Sequence, residues 1–201
     1  MIEEPNTSFK IFILGYSGVG KVCILYRYVE NIFLKKYLET IGLNFKAKTI
    51  NINNQEIKLK IYETAGQEKC RKISKQYYKD ADGIVLVYDV TKENTFDKIK
   101  EWAEQILPDS KEDKIGLILL GNKCDMEERM VSEEQGKELA EEFGINYFET
   151  SALTGQGINE AFEQLTKDII IIKGLGGDYK ERLELKKNKK KKRKNGDNCS
   201  N

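Results

Sequence analysis

The sequence predicts an α/β fold: a six-stranded, mostly parallel sheet with one antiparallel strand and helices on both faces. Short apolar strands alternate with amphipathic helical stretches along most of the chain, the order that builds parallel sheets. Two neighbouring strands, "NFKAKTINI" and "EIKLKIY", break that order. They meet at Asn53-Asn54-Gln55, a hairpin turn signal that sets one strand antiparallel. The runs "GIVLVYDV" and "GLILLGN" are continuously apolar, as strands covered on both faces are.

Taken in order, "SFKIFIL" is the first strand, and Gly20 to about Glu30 is the helix after a glycine-rich loop. The hairpin follows. In its second strand Ile57, Leu59 and Ile61 share one face while Glu56, Lys58, Lys60 and Tyr62 share the other. Helical patterns lie near residues 69–79, 94–106, 133–143 and 158–172, and "INYFETSA" supplies the sixth strand. Trp102, within the 94–106 pattern, is expected in the core.

A chain of 201 residues, 39% hydrophobic, suits one folded domain, here residues 1–173, followed by a flexible tail over 174–201. Lys186 to Lys194, "KKNKKKKRK", holds eight of the 34 basic residues and none of the 33 acidic ones, so a basic tail follows an acidic body. The four cysteines form no CxxC pair and there is no histidine, which argues against a zinc site and for a reduced, cytosolic setting. "MIEEPNTS" has no character of a signal peptide, and no apolar run approaches the roughly 18 residues of a membrane span.

"GYSGVGK", Gly15 to Lys21, lies between a strand and a helix, the context of a phosphate-binding loop. Its glycines turn backbone N–H groups toward an anion, the helix N-terminus adds partial positive charge, and Lys21 supplies a point charge for the β- and γ-phosphates. Alone, the stretch also fits an ordinary strand–helix turn. "GNKCD" (Gly121 to Asp125) ends the fifth strand and "TSAL" (Thr150 to Leu153) the sixth. An Asp125 carboxylate accepts from guanine N1–H and N2–H₂, whereas adenine leaves it unpaired. Asn122 and Lys123 brace that pocket, and the Ser151-Ala152 backbone meets the guanine carbonyl. The three motifs together point to guanine nucleotide.

With "TIGLNF" (Thr40 to Phe45), "KLKIYETAGQE" (Lys58 to Glu68) and "YYKDADGIVLVYDVT" (Tyr77 to Thr91), the chain resembles the Rab family of small GTPases over roughly residues 8–172. The resemblance implies a P-loop G domain and a GTP/GDP switch in vesicle-mediated, intracellular protein transport. Effectors, an exchange factor and a GTPase-activating protein would read its switch regions. It implies nucleotide contacts at Ser17, Gly18, Val19, Gly20, Lys21, Val22, Cys23, Phe33, Tyr37, Thr40, Gly66, Asn122, Lys123, Asp125, Ser151, Ala152 and Leu153. Phe33 matches the aromatic over guanine, Thr40 a Mg²⁺ ligand, Gly66 a γ-phosphate donor, and Gln67 the catalytic residue that orients water. Phe45, Tyr62 and Tyr77 match the effector-contacting aromatics, with Tyr62 where Trp is usual.

Two departures fall on the Mg²⁺ site. Val22 stands where a Ser or Thr hydroxyl ligates the ion, and Glu63 where the family has Asp. Binding of GTP or GDP is expected to survive with weakened Mg²⁺ coordination and slow hydrolysis. The alternative is a non-hydrolysing pseudoGTPase that acts as a scaffold. Cys199 is followed only by Ser200 and Asn201, so the four-residue prenylation box is not met, and lipidation there stays open. The basic tail suits peripheral contact with the cytosolic face of endomembranes or vesicles, ahead of a solvated linker, with nucleic acid the least favoured.

Overall fold

The computed structural model describes residues 7–34, 43–64, 75 and 78–175. Tyr37, Thr40, Gly66, Gln67, Tyr77, Cys199, the basic run and most of the helical pattern near 69–79 lie outside the described residues.

Six strands form one sheet: β1 (Thr7–Gly15), β2 (Leu43–Ile52), β3 (Gln55–Thr64), β4 (Gly83–Asp89), β5 (Gly116–Asn122) and β6 (Asn146–Thr150). Their spatial order is β2-β3-β1-β4-β5-β6, and only β2 runs antiparallel. The chain leaves β1 to build β3 on one side and then β4 on the other. That reversal opens a crevice at the carboxyl end of β1, where ligands of open α/β sheets bind. The hairpin turn is tighter than the sequence suggests. Gln55 already pairs with Ile52, leaving a two-residue turn with Asn53 at φ 53° and Asn54 at φ 64°. Positive φ at both positions is the type I′ geometry whose twist matches the flanking strands.

Helices α1 (Lys21–Glu30) and α4 (Ile158–Ile172) cover one face of the sheet, α2 (Glu93–Glu112) and α3 (Glu133–Phe143) the other. β4 serves both layers: Val85 and Val87 face α1 and α4, while Ile84, Leu86 and Tyr88 face α2 and α3. Tyr28 and Phe162 stack with ring centroids 4.0 Å apart and join α1 to α4. Trp102 is fully buried, as expected.

α2 runs six residues past the expected end at 106, with Pro108 inside it. Proline removes an N–H and crowds the preceding turn, which normally ends a helix. Here contacts from outside the helix hold the last turn. Tyr78 donates its hydroxyl to Asp109 Oδ2 at 2.9 Å, and Lys75 bridges Asp109 and Asp113. Tertiary anchoring overrides the local breaker.

Asn54→Val is expected to lower stability by about 1–2 kcal/mol, because a β-branched residue is strained at positive φ. Asn54→Gly should stay within about 0.5 kcal/mol of the parent. Urea unfolding of the two variants checks the pair.

Candidate functional site

β1 ends at Gly15 and α1 begins at Lys21, so the phosphate-loop residues fill the connection at the sheet's crevice. Among the described residues no side chain caps α1, and its first turn carries no acid. α3 shows the contrast, with a full capping box between Ser132 and Gln135. A helix start without a capping carboxylate or hydroxyl keeps its N–H groups and partial positive charge for an anion. Gly20 sits at φ 99°, and a Cβ there would lie 2.5 Å from Asn122 Nδ2. Gly18 is also left-handed, at φ 77°, but a Cβ there would meet open space.

Asn122, 1% exposed at the end of β5, ties the loop to the rest of the site. Its Nδ2 donates to Val19 O at 2.8 Å, and its Oδ1 accepts from Thr150 Oγ1 at 3.2 Å. Val19 is itself fully buried, so the loop is held by one apolar anchor and one amide. Lys21 is buried and curls over the loop: Nζ donates to Gly15 O at 2.8 Å and to Tyr16 O at 3.1 Å. Glu63, 1% exposed near the end of β3, brings Oε1 to 4.0 Å from the same nitrogen. Val22 follows in the first turn of α1, half-buried.

On the base side, Lys123 takes a left-handed backbone, φ 69°, and its Nζ lies 2.6 Å from the buried Asp89 Oδ2. The other Asp89 oxygen accepts from Thr91 N at 2.9 Å and Thr91 Oγ1 at 2.7 Å. Cys124 N donates to Thr150 O at 3.1 Å, which locks the loops after β5 and β6 together. Asp125 is exposed in the adjoining turn. Ser151 donates its N–H to Gln156 O at 3.1 Å, and its Oγ accepts from Thr154 N at 3.1 Å, so that serine is occupied within its own loop. Arg27 of α1 reaches across to the same loop, with Nε 2.9 Å from Ala152 O and Nη2 2.7 Å from Leu153 O.

The structure thus gathers Lys21, Asn122, Lys123 and the 151–153 loop around one crevice. Phe33 is half-buried and packs against the α1–α4 side of the core. Cys23 lies close by, its Sγ 3.9 Å from Leu34 O; burial pushes its thiol above the ordinary range and Lys123 opposes that shift. Asp89, Thr91, Thr150 and Arg27 escaped the sequence reading as site-builders. "YDVT" held a signal, since an Asp two residues before a Thr at a strand end favours such a local turn bond.

The Ras family model matches residues 10–171. Human Ras-related protein Rab-8B is 46% identical over 171 residues, 85% of this chain and 82% of that protein. Ras-related protein Rab-13 of Canis lupus familiaris is 44% identical over 175 residues, covering 87% and 86%, and Ras-related protein SEC4 of Saccharomyces cerevisiae is 48% identical over 165, covering 82% and 76%. The chain belongs to the Ras family, in its Rab branch. Its fold and activity are those of a small GTPase.

Rab GTPases bind GTP or GDP with Mg²⁺, and the two ligands fare differently here. The glycine cradle, the α1 start and Lys21 fit a polyphosphate. Mg²⁺ demands near-octahedral oxygen ligation, and the Val22 side chain has no oxygen to offer it. Glu63 keeps a carboxylate, but one drawn toward Lys21.

Gly20→Ala is expected to strip the purified protein of nucleotide, since its Cβ would displace Asn122 and strain a left-handed backbone together. Gly18→Ala meets only the backbone strain, about 1–2 kcal/mol, and should keep bound nucleotide at a lower melting temperature. Chromatography of the released nucleotide beside a thermal melt separates the two.

Proposed function

We propose that the chain is a Rab-type switch of vesicle traffic whose Mg²⁺ coordination is weakened and whose intrinsic GTP hydrolysis is slow. The observations that carry this are Val22 in the first turn of α1 and a Glu63 carboxylate 4.0 Å from Lys21 Nζ. Valine keeps nearly the shape of threonine, so the loop retains its form and loses a ligand oxygen. The phosphates rest on the Ser17–Lys21 backbone, with Val22 and Cys23 following, and Lys21 carries the positive charge opposite them. Guanine is read by Asp125, with Lys123 and Phe33 along its rings and the Ala152 N–H on its carbonyl, because Ser151's own N–H is committed to Gln156. Tyr37, Thr40, Gly66 and the catalytic Gln67 complete the site by family correspondence. Hydrolysis falls below that of intact relatives, which without help turn over on the order of 10⁻⁴ s⁻¹.

Partners follow the same logic. Effectors, an exchange factor and an activating protein meet the switch regions, with Phe45, Tyr62 and Tyr77 on the effector side. Among the described residues no helix is long and apolar enough to cross a membrane. Residues 1–173 act as the nucleotide domain. The basic residues of 174–201 supply peripheral attachment to the cytosolic face of endomembranes, with or without a lipid on Cys199; one lipid plus a basic patch makes a stable anchor.

Release of a fluorescent GDP analogue, timed in Mg²⁺ and in EDTA, tests the metal assignment. The parent protein is expected to release it at rates within about tenfold of each other. Val22→Thr with Glu63→Asp should widen that gap well beyond tenfold by restoring an oxygen ligand and a shorter carboxylate. A parent protein already strongly Mg²⁺-dependent sinks the proposal. Binding with no Mg²⁺ response and no detectable turnover would instead make the chain a scaffold.

The base contact has its own check. Asp125→Ala should weaken GDP by about a hundredfold, two lost bonds to a charged acceptor at roughly 1.5 kcal/mol each, with little change in melting temperature because Asp125 is exposed. Isothermal titration of GDP reads the first quantity and calorimetric unfolding the second.

A further inference from the structure

The loop after β6 closes on itself. Gly155 N donates to Ser151 O at 2.8 Å, Ser151 N to Gln156 O at 3.1 Å, and Thr154 N to Ser151 Oγ at 3.1 Å. Within that ring Ala152 is only 5% exposed, yet among the described residues its N–H donates to no group. A backbone N–H in so buried a residue normally has a partner, so this one suits the acceptor of a ligand.

A single side chain from another element holds the tip of the loop. Arg27 stands in the last turn of α1, with Nε 2.9 Å from Ala152 O and Nη2 2.7 Å from Leu153 O. Among the described residues these are the hydrogen bonds that tie 152 and 153 to the rest of the protein. The third nitrogen, Nη1, turns back to the end of its own helix. It donates to Asn31 O at 3.1 Å and to Asn31 Oδ1 at 3.0 Å, which fixes the plane of the guanidinium. All three nitrogens are in use, and every acceptor is a neutral oxygen. The rigid fork of the side chain, more than its charge, therefore sets these contacts. A lysine has the charge but one nitrogen, and cannot hold two loop carbonyls and the helix end together.

We propose that Arg27 is a positioning residue for base recognition: it sets the place of the Ala152 N–H that meets the guanine carbonyl. The proposal rests on the reading of Ala152 given above and adds the side chain on which that contact depends. Arg27 acts through the loop and not on the nucleotide itself. Asp125 reads the N1–H and 2-amino edge from the loop after β5. The two edges of guanine thus answer to different residues and can be perturbed one at a time.

Calorimetric titrations of the full-length protein and of Arg27→Lys with GDP and two analogues test this. 6-Thio-GDP changes only the carbonyl oxygen, to a larger and weaker sulfur acceptor. IDP lacks only the 2-amino group. The parent is expected to prefer GDP over each analogue by about fivefold or more, the worth of one hydrogen bond. In Arg27→Lys the preference over 6-thio-GDP should fall below about twofold, while the preference over IDP stays within about twofold of the parent's. Thermal melts confirm that the variant folds, and Arg27→Gln takes its place if it does not.

A variant that keeps both preferences, whatever its melting temperature or its overall affinity, makes Arg27 a structural brace and overturns the proposal. A fall in the preference over IDP, alone or with the other, shows a loosening not confined to the carbonyl edge and overturns it too. A parent with no preference over 6-thio-GDP, or with no GDP binding, removes the reading of Ala152 itself and the proposal with it.

Discussion

The carboxamide of Asn122 stands where the glycine loop and the ends of β5 and β6 converge, and the geometry of the crevice depends on it. One end of the amide donates to Val19 O and the other accepts from Thr150 Oγ1, so a single planar group spans the glycine loop and the end of β6. Being buried, it has no water to replace either bond, and losing one leaves a polar atom stranded at a cost of about 1–3 kcal/mol. Gly20 follows from the same contact. The loop approaches so closely that the amide nitrogen occupies the space a Cβ would need. Aspartate would keep the size and lose the donor; alanine would keep neither.

Around that clasp the structure adds ties that hold the loops after β5 and β6 in place. Arg129 grips Glu149 with two nitrogens, at 2.6 and 3.0 Å, and also donates to Val131 O, which folds the segment after Asp125 back onto β6. Tyr147 and Tyr88 share a hydrogen bond between their hydroxyls at 3.0 Å, joining β6 to β4. Burial raises the Tyr88 phenol to about 12 and the Tyr147 phenol further in the same direction. Neither ionises near neutral pH, so their shared bond is a neutral one and indifferent to physiological pH. Together with the Lys123–Asp89 pair, these contacts set β4, β5 and β6 in register at the end where nucleotide binds.

Much of this was legible in sequence because local pattern and tertiary demand agree. The apolar runs of β4 and β5 and the alternation in β3 admit few alternatives once α-helical stretches separate them. α3 and α4 have the expected bounds, 133–143 and 158–172, and α3's are marked by strong local signals: a capping box at its start and a glycine after its end. α2 was misjudged for the opposite reason. Pro108 is a local stop signal, and what overrides it comes from Tyr78 and Lys75, outside the helix. Around the crevice, motifs pointed to Lys21, Asn122 and Lys123, whereas Arg27 gave no hint. Its partners, the carbonyls of Ala152 and Leu153, lie more than 120 residues away, and carbonyls carry no residue signature.

The two departures at the metal position gain meaning when taken as a pair. Aspartate at position 63 would hold its carboxylate back from the loop; glutamate extends it by one methylene, and here Oε1 comes within 4.0 Å of Lys21 Nζ in a region nearly closed to water. Opposite charges at that distance attract far more strongly than they would in solvent. Val22, in the first turn of α1, carries no side-chain oxygen. It has none to offer a cation, and the Glu63 carboxylate stands 4.0 Å from a cation the protein already owns. Under the proposed function Lys21 would answer to two anionic groups, Glu63 and the nucleotide phosphates, and its hold on the second would depend on how far the first can retreat. On that proposal, phosphate binding would couple to the end of β3 through the Lys21–Glu63 contact.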